Sequence, residues 1–316
     1  MTSHAAHPAH PTRSARLGLL QVCAAGFLWG TGGLVVTILH DEDGLGALTT
    51  SAWRMLIAAL ALVAVTAVAR RLGSLVTTFR AQPVLVVAVG SCTAIYQGLY
   101  FLAVLAVGVS VATVVSLGLA PVLAAGWEHA RAGTRPERRE LMVLAAALTG
   151  LVLVSVASAG HGGPGDAPVL GLVLSIASGA TFAATTVLGH HLARDVDPLA
   201  LTTCATSVGV LLLAPFLLAA ALGSGPVVTT RPGGLLLLLY LGVFTLALSY
   251  GLLYAGLRTT SGSAATVATL VEPLSAAALA VVLLDERLTA PAVVGGVLIL
   301  AAVVGIRPRE MPPAPT

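Results

Sequence analysis

Glu272 and Pro273 stand side by side in the stretch ATLVEPLSA (268–276), inside an apolar run from Gly262 to Leu284. A carboxylate at the centre of a membrane helix costs roughly 2.5–3.5 kcal/mol on insertion scales, so it is kept where it meets a ligand, a proton or a counter-charge. A proline in a helix interior removes one hydrogen bond and presses on the carbonyl four residues earlier. On that pattern Pro273 frees the carbonyl of Thr269, and Pro121, in LGLAPVLAA, frees that of Leu117. Broken backbone at membrane depth is tolerated where protein or a water-filled cavity satisfies it. Both prolines are therefore candidate helix breaks or gating points. At about 100° per residue, Thr266, Thr269 and Glu272 fall within about 120° of one helix circumference and can face one space.

Other polar and aromatic side chains lie at comparable depth in apolar runs. Trp29 is near the middle of the first run, where tryptophan needs a cavity or a helix interface to receive it, and Phe182 sits at mid-run 153 residues later. Tyr96, Gln97 and Tyr100 in the third run, with Ser249 and Tyr250 in the eighth, complete a candidate binding set with Glu272. Tyr100 and Tyr254 also suit an interfacial belt, the position expected for Trp53 and Trp127. The alternative for Glu272 is an ion pair with Arg54, the other charge well inside an apolar run.

The elements that position these residues follow from composition. Of 316 residues 57% are hydrophobic and 9% charged, where a soluble protein carries about 25% charged residues. The chain therefore reads as a polytopic membrane protein. Stretches that meet the requirement of about 20 mostly apolar residues begin near Leu17, Leu48, Pro83, Val111, Leu141, Val169, Leu199, Gly234, Ser261 and Ala290. That predicts ten spans. Basic residues concentrate in cytoplasmic loops. With the N-terminus inside, Arg231 and Arg287 alone fall outside, Arg54 lies within a span, and every other arginine is cytoplasmic. Both termini are expected in the cytoplasm, the chain in the cell membrane.

An internal duplication underlies the count. ALTT occurs at 47–50 and at 200–203, and Pro121 matches Pro273 at nearly the same offset. Ala103, Leu105, Ala112 and Val115 likewise match Ala255, Leu257, Ala264 and Val267. Five spans are an odd number, so the second half enters from the opposite side. The expected fold is all-α, with ten transmembrane helices as two inverted five-helix repeats at 17–158 and 169–306, a linker at 159–168, and tails at 1–16 and 307–316. Inverted repeats place a substrate site near mid-membrane between the halves. Trp29 and Phe182 are expected to face one central cavity there.

Composition also excludes functions. The basic residues are all arginine, so there is no P-loop lysine for a nucleotide and no Schiff-base lysine. Cys23, Cys92 and Cys204 are isolated packing residues with no metal-ligand spacing, and His4, His7 and His10 belong to a polar tail. GTGG (30–33) is a helix-packing motif and no nucleotide loop. An intramembrane enzyme would need a Ser–His dyad or paired aspartates in the membrane, and neither pattern is present. No catalytic residue, metal, cofactor or nucleic-acid partner is expected. The partners are a small-molecule solute, the lipid bilayer and, through Glu272, a proton as candidate coupling ion. A non-transporting membrane sensor or scaffold is the rival from another class.

FLWGTGG in span one, SAWRMLIAAL in span two, LAPVLAAG in span four and LVEPLSAAALAVVLLDERLTAPAVVGGVLIL at the end resemble the EamA-like members of the drug/metabolite transporter superfamily. The likeness covers about 17–306. It implies a ten-helix carrier with inverted repeats that exports amino acids, other metabolites or drugs, with Trp29, Glu272 and Pro273 at motif positions and Glu286 in an outer-loop signature. Two departures stand out. Ala120 occupies the place that Glu272 holds in the second half, and AGTRPERRE replaces the LLDERL pattern in the first.

Overall fold

In a computed structural model of the protein, described for residues 13–107, 109–157, 167–223, 225–284 and 289–306, every regular element is helical. The first half comprises α1 (Arg13–Asp43), α2 (Ala47–Val68), a short α3 (Leu72–Ala81), α4 (Pro83–Val107), α5 (Val109–Ala132) and α6 (Arg138–Ala157). The second comprises α7 (Pro168–Ala193), α8 (Pro198–Leu222), α9 (Pro232–Gly242), α10 (Ser249–Leu257), α11 (Gly262–Ala268), α12 (Val271–Leu284) and α13 (Ala290–Gly305). A π-helical segment, Val243–Leu248, joins α9 to α10 in one long rod. Residues 1–12 and 307–316 of the tails, 158–166 around the linker, and Glu286 lie outside the described residues, while 13–16 of the expected tail open α1.

Prolines open many of these helices, at Pro83, Pro168, Pro198 and Pro232. The first-turn position suits proline because its missing N–H would be unpaired there in any case. Asp197, Ser261 and Thr289 cap α8, α11 and α13 by accepting from the backbone N–H three residues on. Among the described residues eight helices, counting the α9–α10 rod and the start of the α11–α12 pair as one each, are long and apolar enough to cross a membrane. α13, with 16 residues, is shorter, and α1 runs for 31. Predicted starts agree with observed ones to within a few residues. The exception is 72–81, expected as loop and found helical.

The halves pack across each other. α1 lies against the α9–α10 rod and α11–α12, while α7 lies against α4 and α5. α2 packs on α8, and α6 on α13. Two close approaches repeat at the offset of the duplication: Gly26 of α1 faces the backbone of Thr269, and Gly179 of α7 faces that of Ser116. Small residues let membrane helices come this near, where dispersion and not the hydrophobic effect drives association.

The two predicted proline breaks differ. α5 runs through Pro121 without interruption. In the second half the helix does break, between α11 and α12, but Pro273 lies in the first turn of the new helix. The carbonyl of Thr269 is not left free, because the Glu272 N–H donates to it at 2.9 Å.

Candidate functional site

The break at 269–271 places Glu272. Thr269 N–H closes α11 on Ala265 at 2.9 Å, and Leu270 N–H turns back to Val267 at 3.1 Å. Ser275 Oγ then donates to the carbonyls of Glu272 (2.8 Å) and, across the interface, Phe27 (3.3 Å). Gly26 and Gly30 of α1 press on this segment: a methyl on Gly30 would run into Ser275 Oγ and the backbone of Glu272 and Ala276. Glu272 is thus held at the head of α12, half-buried, with carboxylate Oε2 buried and without a partner.

Arg54 projects from α2 to the π-helical segment. Its Nη2 donates to the Thr245 carbonyl at 2.7 Å. That carbonyl also accepts from Ser249 Oγ at 2.7 Å. The wider winding of a π segment displaces carbonyls from their usual partners, and such segments gather at functional sites. Arg54 is buried, yet its Nε has no partner. Arg54 and Glu272 lie within electrostatic reach of each other. They are not among the ion pairs of the described residues, which join nitrogen and oxygen within 4.0 Å. The direct pair, the alternative reading of Glu272, therefore does not form in this conformation.

The aromatics converge. Trp29 meets Phe182 edge-on at 5.9 Å between ring centroids and Tyr250 at 5.2 Å. Phe182 stacks on Tyr96 at 4.7 Å, and Tyr96 reaches Tyr100 at 6.2 Å. Four helices, α1, α4, α7 and α10, thus contribute to one cluster, with Trp29, Tyr96, Phe182 and Tyr250 all buried. These rings close on one another in the interior. Trp29 Nε1 has no hydrogen-bond partner, and neither has Gln97 Oε1.

Other predicted members have different work. Ser249 is spent on the π segment, donating also to Leu246 at 3.2 Å. Tyr100 ties α4 to α5 through Thr113 at 2.7 Å. Tyr254 is no belt residue: its side chain is 1% exposed. Trp53 donates to the Val227 carbonyl at 2.7 Å and so holds a loop, while Trp127 is exposed as a belt residue would be. The Arg54–Thr245 contact was missed. It depends on a π segment for which VFTLAL carries no local signal.

The ends of the bundle are tied differently. At one end Arg231 grips Asp43 through Nε (2.7 Å) and Nη2 (2.9 Å) and also reaches Glu42, with Thr229 adding a bond to Asp43 at 2.8 Å. These hydrogen bonds hold the Asp43 carboxyl below the usual carboxylate range and raise the Arg231 guanidinium above its own. At the other end Glu128 of α5 accepts from Ser263 N–H (3.1 Å) and Ser263 Oγ (2.5 Å). His190 of α7 bonds the Leu257 carbonyl through Nδ1 at 2.7 Å. The Glu128 and His190 ties join the α4–α5–α7 group to the group built on α1.

An all-helical bundle of long apolar spans, with buried charges and clustered aromatics beside a helix break, defines a polytopic membrane protein. Family comparison agrees: the EamA-like transporter family matches at residues 16–156 and again at 169–307, and the chain belongs to that family. It is 30% identical over 293 residues to YwfM of Bacillus subtilis, described as an uncharacterized transporter, covering 92% of this chain and 94% of that one. It is 28% identical over 297 residues to YicL of Salmonella typhimurium, described as an uncharacterized inner membrane transporter, covering 92% and 95%. A crystal structure with 20% sequence identity shares the fold with a TM-score of 0.75, over 91% of this chain and 95% of the other.

Proposed function

We propose that this membrane transporter is a secondary carrier that exports a small amphipathic solute, an amino acid or related metabolite or a drug-like compound, by alternating access. α1 and α13 complete ten spans, with the Arg-rich end and both termini in the cytoplasm of the cell membrane. The reading is carried by buried, unpartnered polar atoms on four helices: Trp29 Nε1, Arg54 Nε, Gln97 Oε1 and Glu272 Oε2. Each buried group left unsatisfied costs about 1–3 kcal/mol, and more if charged. A fold keeps such a set where a ligand or water completes it. A solute with an ammonium and a carboxylate would meet Glu272 and Arg54 at once, and the rings of Trp29, Tyr96, Phe182 and Tyr250 would take its apolar part.

Alternating access is supported by the two crossed groups of helices and by the Glu128 and His190 ties between them. Breaking these ties opens the cytoplasmic end; the Arg231 clamp joins α1 to the start of α9 within one group and stays made. Counterflow in proteoliposomes tests the reading. Vesicles loaded with candidate amino acids should accumulate the same labelled solute from outside, and Trp29→Phe should weaken this. No counterflow with any zwitterion or amphipathic compound in a broad panel would contradict it.

A further inference from the structure

Helix α3 has three faces. At about 100° per residue, Leu75 and Thr78 lie toward one side, where Thr78 is buried, Leu75 packs on the core and Cys204 Sγ donates to the Leu75 carbonyl at 3.6 Å. Phe79, Leu72 and Val76 follow around the circumference within about 60° and are 42%, 48% and 50% exposed. Gly73 and Thr77 face away from both. A helix with a protein side, an exposed apolar stripe and a polar side, lying between two spans, suits the plane of the membrane surface.

The arginines around it point to what it meets there. α2 ends in a left-handed cap: Arg70 N–H turns back to Ala67 and Arg71 N–H to Thr66, both at 2.9 Å. The position that takes φ 55 is Arg70, where glycine is the usual occupant because a side chain is strained there. Arg71 pairs with Asp197 at 3.5 Å. Arg70 and Arg80 are exposed, flank the apolar stripe, and have no ion-pair partner among the described residues. The equivalent connection in the second half differs: no helix is described between α8 and α9, and its arginine, Arg231, is neutralised by Glu42 and Asp43.

We propose that α3 is a docking surface for anionic phospholipid, its Leu72–Val76–Phe79 stripe immersed at the acyl boundary and Arg70 and Arg80 bound to headgroup phosphates. An arginine is retained in a strained position because its charge is used outside the protein. Each arginine near an anionic surface strengthens binding about fivefold. Hydrogen–deuterium exchange on the full chain, in nanodiscs of phosphatidylcholine alone and with added phosphatidylglycerol, tests this. Amides 72–81 should exchange several-fold more slowly with phosphatidylglycerol. Arg70→Gly with Arg80→Gln should remove that difference while leaving thermal stability intact, since glycine suits the left-handed turn. Phe79→Ser should raise exchange in both lipids. Equal exchange of the native protein in the two lipids, or a lipid difference that survives the double substitution, would overturn the proposal.

Discussion

Gly30 offers a direct test of how the helix break is supported. A Cβ there would collide with Ser275 Oγ and the Glu272 carbonyl and would come within 3.0 Å of the Ala276 nitrogen. Two of these three atoms are backbone at the head of α12, so a side-chain rotation cannot relieve the clash. Overpacking of this kind costs about 1–3 kcal/mol, against roughly 1 kcal/mol gained from alanine over glycine in a helix. Gly30→Ala should therefore be destabilised by up to about 2 kcal/mol. Gly32, two residues on, is the control: its added methyl would meet Thr245 Oγ1 at 3.5 Å, an ordinary contact. Gly32→Ala should match or exceed the native protein by up to about 1 kcal/mol. Thermal unfolding of the three proteins in one detergent, followed by intrinsic fluorescence, ranks them. Equal stability of the two variants would refute the close packing of α1 on 272–276.

Trp29→Phe should leave the protein folded with a smaller loss of stability than truncation to alanine, because Nε1 has no protein partner to lose, yet solute affinity should fall several-fold in a binding titration. Trp29→Ala should cost about 3–5 kcal/mol by opening a void between Phe182 and Tyr250. Glu128→Ala strands the Ser263 N–H and hydroxyl, so a cysteine at Thr269 should react faster with a water-soluble maleimide added from the Arg-rich side. The clamp on Asp43 depends on pH in a defined direction. A depressed carboxyl stabilises the fold above its unfolded value, near the ordinary 3.8, and loses that contribution as pH falls through the folded value. Asp43→Asn should thus lower the unfolding temperature at neutral pH and flatten its decline below about pH 4.

Much of the helical architecture is written in the apolar runs, because the bilayer dictates span length. The duplication was legible too: Trp29 and Phe182, placed together by a shared offset, touch ring to ring. What stayed hidden depends on tertiary context. Pro121 and Pro273 look alike in sequence, yet α5 absorbs the first while the second opens a new helix after two turn-like bonds at Val267 and Thr269. Ser249 has the chemistry of a ligand but is consumed by a π segment that no local signal announces. Arg54 was offered as the counter-charge of Glu272, but its Nη2 donates to the Thr245 carbonyl of the π segment instead. α3 escaped notice because ten residues with one arginine, a serine and two threonines read as loop until a neighbouring helix buries Thr78 and partly covers Leu75.

The central claim is that Glu272 is a working carboxylate of a solute site and not a structural charge. Glu272→Gln keeps size and hydrogen bonding but cannot titrate, and Oε2 has no protein partner to lose. Uptake driven by a pH gradient and exchange of internal for external solute should be measured on the same proteoliposomes. The account predicts a stable variant that loses gradient-driven transport and retains exchange. A stable variant with the full native pH dependence, or one that simply unfolds alongside Arg54→Ala, would contradict it.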